Sequence, residues 1–306
     1  MTRIIDLYPS RQNQQERILP RLDPVVHGHR QPQKAHELDT GQVARYEHDG
    51  FLVIPELMAD LVPALVAEIE ALKAHLGDAE ELYTEPDSNE LRTLFKPFAF
   101  SALIDSVSRD PRIMAPVQQL LGSEAYIMQS RVNIKPPLAG RSFAWHSDFE
   151  TWHVEDGMPR MRALTAWIML NDNHPCNGPL YVLEGSHRRY VSCAGQTGTD
   201  NYRTSLKRQV LGVPSAPALK TLMAEHPLRV IEGKPGTLVF HECNLLHGSP
   251  DNISGDPRAI LMFVFNSVEN RPVAPFGGLA PRPHYLNNPD TRPLQPLPRP
   301  LALATG

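Results

Sequence analysis

Phe143-Ala-Trp-His-Ser-Asp-Phe-Glu-Thr-Trp-His-Val-Glu-Asp156 is the stretch on which the reading of this chain turns. His146 and Asp148 stand two residues apart, a spacing that on a β-strand throws both side chains onto one face. An imidazole and a carboxylate then share one space. A second histidine completes a 2-His-1-carboxylate triad, a donor set that suits Fe(II) and leaves one side of the metal open. The candidate is His247, which follows the strand-like run Gly236-Thr-Leu-Val-Phe240. Eleven residues beyond it, Arg258 opens a second β-rich run, Ala259-Ile-Leu-Met-Phe-Val-Phe265. A guanidinium beside a ferrous site suits a dicarboxylate cosubstrate, because it grips a carboxylate through two parallel hydrogen bonds. A bare His-x-Asp also reads as a surface turn or a salt-bridged pair, and Arg258 as a surface residue after Asp256-Pro257. The two flanking strands are what favour the metal.

Composition narrows the classes. The 306 residues suffice for one large domain or two small ones. A formal charge of −4 provides no basic field, which argues against nucleic acid and anionic membranes as partners and leaves small molecules. Three cysteines, Cys176, Cys193 and Cys243, are an odd set without C-x-x-C spacing, so reduced thiols are expected in place of a disulfide framework or zinc ribbon. No apolar run approaches the ~18–20 residues that span a bilayer, and the N-terminus lacks a signal-peptide core. A cytoplasmic protein is expected.

Along the chain, residues 1–39 read as an extended arm, either disordered or wrapped on the body. A single domain then runs over 40–270, helical at first. Helices are expected from Thr40 to the stop at Gly50, from Met58 to Leu76 with Leu61, Leu65, Ile69 and Leu72 at helical spacing, over 101–108, and over 111–121 between Asp110-Pro111 and Gly122. The acidic segment Glu80 to Asn89 reads as a loop able to move. A short strand is expected at 51–54.

From about residue 125 the period changes to two. Strands are expected at 126–134, 143–147, 163–170, 179–183, 228–231, 236–241 and 259–265, separated by turn chemistry such as Asn177-Gly-Pro and Glu184-Gly-Ser. No long helix alternates with them. The fold class is therefore mainly β with flanking α-helices, around a double-stranded β-helix or jelly-roll core. Residues 194–226 read as a polar insertion with short helices, and 271–306 as a proline-rich, irregular surface tail.

The block His146-Ser-Asp-Phe-Glu-Thr-Trp-His153, with Asp6-Leu-Tyr-Pro-Ser-Arg11, Gln129-Ser-Arg-Val-Asn-Ile-Lys135, Asn177-Gly-Pro-Leu180, Gly185-Ser-His187 and Cys243-Asn-Leu-Leu-His-Gly-Ser249, resembles the ectoine hydroxylases. These are members of the phytanoyl-CoA dioxygenase group of Fe(II)/2-oxoglutarate oxygenases. The likeness covers roughly residues 5–285. It implies Fe(II) on His146, Asp148 and His247, with 2-oxoglutarate and O2 as cosubstrates. Arg258 would take the distal carboxylate of 2-oxoglutarate, with Asn133, Ser249 and Lys135 as further contacts. Gln129, Thr151 and Trp152 match positions of the ectoine pocket, and Phe265 would close its far wall. Departures from the family pattern are Glu184 before Gly185-Ser-His187, Thr165-Ala-Trp167, Tyr181 and His241. None replaces a residue of the triad.

Plainer roles stand beside these. Trp145, on the face opposite His146, reads as core, and Trp152 as core or pocket wall. His153, Glu155 and Asp156 read as a solvated, salt-bridged turn and not a second metal site. His241 would share a face with His247 in an unbroken strand, but Glu242-Cys-Asn-Leu245 reads as a break. His187 suits a loop carbonyl, and Lys135, before two prolines, suits solvent.

The function implied is hydroxylation of ectoine to 5-hydroxyectoine with release of succinate and CO2. Alternatives are hydroxylation of another small cyclic amino acid such as proline, or a non-catalytic jelly roll that binds a small zwitterion. A homodimer is compatible with either.

Overall fold

The computed structural model describes residues 5–302 apart from 13–14, 78, 86–87 and 89. Its helices are α1 (Thr40–Asp49), α2 (Val62–Leu76), α3 (Ala102–Ser108), α4 (Pro111–Leu121), α5 (Asp148–Asp156), α6 (Asn201–Lys207) and α7 (Ala216–Glu225). Its strands are β1 (Arg17–Pro20), β2 (Phe51–Ile54), β3 (Leu82–Thr84), β4 (Leu91–Phe95), β5 (Ala125–Lys135), β6 (Phe143–His146), β7 (Ala163–Met169), β8 (Leu180–Leu183), β9 (Arg189–Ser192), β10 (Leu228–Ile231), β11 (Leu238–Glu242), β12 (His247–Ser249) and β13 (Arg258–Ser267).

Local chemistry sets the helix ends. Asp39 and Gln42 form a reciprocal capping box before α1, and Gly50 ends it with φ +84°. Asp110 caps α4 and Pro111 fills its first position.

The strands form a seven-stranded sheet in the order β2-β11-β7-β13-β5-β4-β3, facing a four-stranded sheet in the order β10-β8-β12-β6. Pairing is antiparallel throughout. This is the jelly roll that the period-two segments imply. Alternation along β13 divides the molecule: Leu261, Phe263 and Phe265 join the core against α1 to α4, whereas Ile260 and Met262 turn between the sheets with Trp167, Val182 and Val239. Phe265 is therefore wholly buried on the helix side and does not close a substrate pocket, contrary to expectation.

The segment 80–89 is also more ordered than its composition suggests. Leu82–Thr84 pairs with β4, and Glu85 is buried in an ion pair with Arg92 at 3.0 Å. Pro86, Asp87 and Asn89 lie outside the described residues. At the N-terminus, β1 pairs with β9, and Tyr8, Val26 and Leu38 are buried, so the arm wraps on the body. The described part of 271–302 contains no strand or helix, but it is not simply surface. Tyr285 and Leu286 are buried, and Asn288 Nδ2 donates to the Ile127 carbonyl at 2.9 Å.

Candidate active site

His146 ends β6 and His247 opens β12, and the two stand directly opposite each other in the antiparallel register. That places their rings 4.3 Å apart between centroids. Asp148 arrives differently. Strand β6 stops at His146, and Ser147, extended at φ −108° and ψ 135°, caps α5 by accepting from the Glu150 N–H at 3.3 Å. Asp148 thus sits in the first turn of a helix and not on the strand, and it shares the histidines' space because Ser147 still carries the chain in extended form.

Asp148 Oδ1 lies 3.6 Å from His146 Nε2, and Oδ2 lies 4.0 Å from His247 Nε2. Each histidine directs its other nitrogen at a carbonyl: His146 Nδ1 is 2.7 Å from Ala144 O, and His247 Nδ1 is 2.9 Å from Leu245 O. A carbonyl only accepts, so Nδ1 carries the proton and both Nε2 lone pairs face inward, the arrangement in which a metal-ligating histidine is held. Burial, then the neighbouring His146, pushes His247 down to about 3 despite Asp148. Burial acts to raise the Asp148 carboxyl, but His247, His146 and His241 hold it well below the usual range. Two neutral nitrogens and one carboxylate oxygen are a fitting donor set for Fe(II).

Beyond the triad the cavity divides. On one side lie Asn133, Ser249 and Arg258. Arg258 is 2% exposed; its Nε donates to Gly178 O at 3.1 Å, whereas Nη1 has no hydrogen-bond partner among the described residues. A buried guanidinium nitrogen left unsatisfied is costly, and an anion beside Nη1 would offset that cost. Lys135, opposite Arg258 in the strand register, is wholly buried and donates to Ser249 Oγ at 2.7 Å and to the Pro250 carbonyl. Burial, with Arg258 and Arg92 nearby, lowers it to about 6. The solvated reading of Lys135 is thereby excluded.

On the other side Gln129, Thr151 and Trp152 line a second recess with His146 and Asp148. Gln129 Nε2 donates to Leu286 O at 3.0 Å, and Trp152, 2% exposed, is both wall and core. Trp145 packs instead beside Leu183, Val191 and Leu246. His187 meets the Glu47 carbonyl at 3.2 Å, as a loop histidine should.

Helix α5 overturns one expectation outright. His153, Glu155 and Asp156 are buried, not solvated. Arg11 of the arm binds Glu150 at 2.5 Å and also Glu155, Ser10 donates to Glu150 at 2.6 Å, and Asp6 meets His153 at 2.9 Å. Tail residues Arg282, 2.5 Å from Asp156, and Phe276, stacked 4.0 Å from His153, close the other side. Ser147-x-x-Glu150 and the stop at Gly157, φ +80°, were the available signals for this helix.

Arg131 is a site residue that the sequence reading passed over. It lines both recesses, and among the described residues it makes no ion pair; its Nε donates to Met262 Sδ at 3.2 Å. Gln129, Arg131, Asn133 and Lys135 follow at period two on β5, so alternation alone could have placed it.

A jelly roll carrying this triad beside a buried, unsatisfied arginine defines the class of mononuclear non-haem iron oxygenases. The model of the family "Phytanoyl-CoA dioxygenase (PhyH)" matches residues 46–260. The chain belongs to the phytanoyl-CoA dioxygenase family. Among curated relatives, the ectoine dioxygenase of Bordetella bronchiseptica is 45% identical over 284 residues, 92% of each chain. That of Sphingopyxis alaskensis is 46% identical over 284 residues, again 92% of each. The crystal structure of EctD from S. alaskensis with 2-oxoglutarate and 5-hydroxyectoine superposes with a TM-score of 0.84 at 43% identity, covering 95% of this chain and 96% of that one. The same protein with bound Fe gives 0.85 at 41% identity, covering 96% and 98%.

Proposed function

We propose that this protein hydroxylates ectoine to 5-hydroxyectoine, using Fe(II), 2-oxoglutarate and O2 and releasing succinate and CO2. The observation that carries the reading is the pair of guanidinium groups beside one triad, the buried Arg258 on one side and the half-buried Arg131 lining both recesses. One suits a carboxylate of the cosubstrate and the other the carboxylate of a zwitterionic substrate. His146, Asp148 and His247 would hold the iron, which supplies the oxidising chemistry when bound with its cosubstrates. The likeness to proteins named ectoine dioxygenase supports the choice of substrate.

The chain's own residues do the rest. Arg258, Ser249 and Lys135 orient 2-oxoglutarate, with Asn133 at the edge of the same recess. Trp152 offers a flat apolar face to the amidinium-like ring of ectoine, a cation–π contact of about 0.5–2 kcal/mol, and Gln129 and Thr151 offer polar groups to its ring and carboxylate. Proline, with no delocalised cation, uses that wall less well. Free thiols at Cys176, Cys193 and Cys243 suit a reducing cytoplasm.

Mass spectrometry of ectoine and proline incubated separately with the protein, Fe(II), 2-oxoglutarate and ascorbate tests the proposal. Ectoine should gain one oxygen with stoichiometric succinate. Preferred oxidation of proline, or succinate formation indifferent to ectoine, would refute it.

A further inference from the structure

His241 belongs to β11 and Trp167 to β7, neighbouring strands on which His241 stands opposite Thr165. Both side chains face the space between the sheets, His241 2% and Trp167 1% exposed. The indole Nε1 lies 3.1 Å from His241 Nδ1. An indole N–H can only donate, so Nδ1 accepts and the ring proton stands on Nε2. That Nε2 is 3.5 Å from Asp148 Oδ2, at the long end of hydrogen bonding, while Asp148 Oδ1 faces His146. A nitrogen that carries its proton has no lone pair for a metal. It has a proton to donate to a carboxylate.

We propose that His241 is a positioning residue of the metal site: held in one tautomer by Trp167, it donates from Nε2 to Oδ2 of Asp148 and keeps Oδ1 for the ion. The inference rests on the triad as a metal site. A carboxylate turns easily about its last torsion, and its two oxygens can bind one ion together, which would use up a position needed by cosubstrate or oxygen. A fixed donor on one oxygen opposes both. The indole thereby acts on Asp148 through the histidine, and the break at Glu242 to Leu245 lets His241 and His247 approach the same carboxylate from different sheets.

Co(II) titration of the metal-free protein, followed by calorimetry and by the visible ligand-field bands, tests this without turnover. Partners of this kind contribute about 10- to 100-fold to metal affinity, so His241→Phe should bind Co(II) at least about tenfold more weakly. His241→Gln, whose amide keeps an N–H donor, should recover most of the loss. Trp167→Phe, which frees the tautomer, should fall between wild type and His241→Phe, and it decides the matter if His241→Phe does not fold. The bands should show the full set of nitrogen ligands in all three variants. Wild-type affinity in His241→Phe or in Trp167→Phe, no rescue by glutamine, or bands showing a lost nitrogen ligand would each overturn the proposal. Asp148→Ala separates the two levels: it should abolish binding, and if it bound Co(II) like wild type, the triad itself would be the failure.

Discussion

His146 and His247 meet through a strand register, whereas Asp148, Thr151 and Trp152 enter the same cavity on a helix that packs on the strands without sharing their backbone register. On the strand side, backbone hydrogen bonds shared with β8 and the rest of the four-stranded sheet determine where each imidazole stands. On the helix side, placement depends on side chains from the two ends of the chain: Asp6, Ser10 and Arg11 from the arm, Phe276 and Arg282 from the tail. One half of the site is set by the backbone of the barrel, and the other adds to its apolar packing a dependence on buried ion pairs from the chain's two ends. Removing one partner of such a pair leaves an uncompensated buried charge.

Replacing His146 or His247 with alanine should reduce turnover to background while the midpoint of urea unfolding stays near wild type, since the ligands line a cavity and the register is backbone-made. Appreciable activity in either variant would break the assignment of the strand side.

Arg11→Ala leaves Glu150 and Glu155 without their cation. It should cost about 3–5 kcal/mol in urea unfolding and lower activity in proportion to the loosening of α5. An unfolding curve like that of wild type would show that the arm does not hold the helix.

Arg258→Ala removes a charged hydrogen-bond pair worth about 1.5–3 kcal/mol, so the 2-oxoglutarate KM should rise roughly ten- to a hundredfold with the fold intact. Steady-state kinetics at saturating ectoine read this directly, and an unchanged KM would remove Arg258 from the cosubstrate site.

The smallest effect concerns Lys135, whose ammonium is held down to about 6 by burial and by Arg258 and Arg92. A dianionic cosubstrate favours the charged form and so raises that value on binding. Near neutral pH the free protein carries Lys135 mostly unprotonated, and binding takes up as much as one proton. Affinity should therefore fall as pH rises above about 6. Calorimetry in two buffers of different ionisation enthalpy measures the uptake, and equal heats would refute it.

Much of this was legible beforehand because it is periodic or local. The strand at 228–231 and the helix stops at Gly50 and Gly122 follow from alternation and capping, whereas Asp148 joins the two histidines from a helix and not through the strand spacing that suggested it. Helix α5 was legible in principle from Ser147-x-x-Glu150, but the strand pattern ending at His146 outweighed it. Phe265 was misplaced because its pocket role came from the family resemblance alone, whereas alternation along β13 with Leu261 and Phe263 already puts it on the helix side.

Most elements and all the donor types are written in the sequence, because backbone propensity and side-chain period are properties of neighbouring residues. Only the tertiary structure decided who satisfies whom. Arg11 finds Glu150 from 139 residues away, and Arg282 joins Asp156 across 126. Trp167 meets His241 across 74, and one nitrogen of Arg258 has no hydrogen-bond partner among the described residues. Such pairings depend on which long-range contacts close the fold, and no local pattern encodes them.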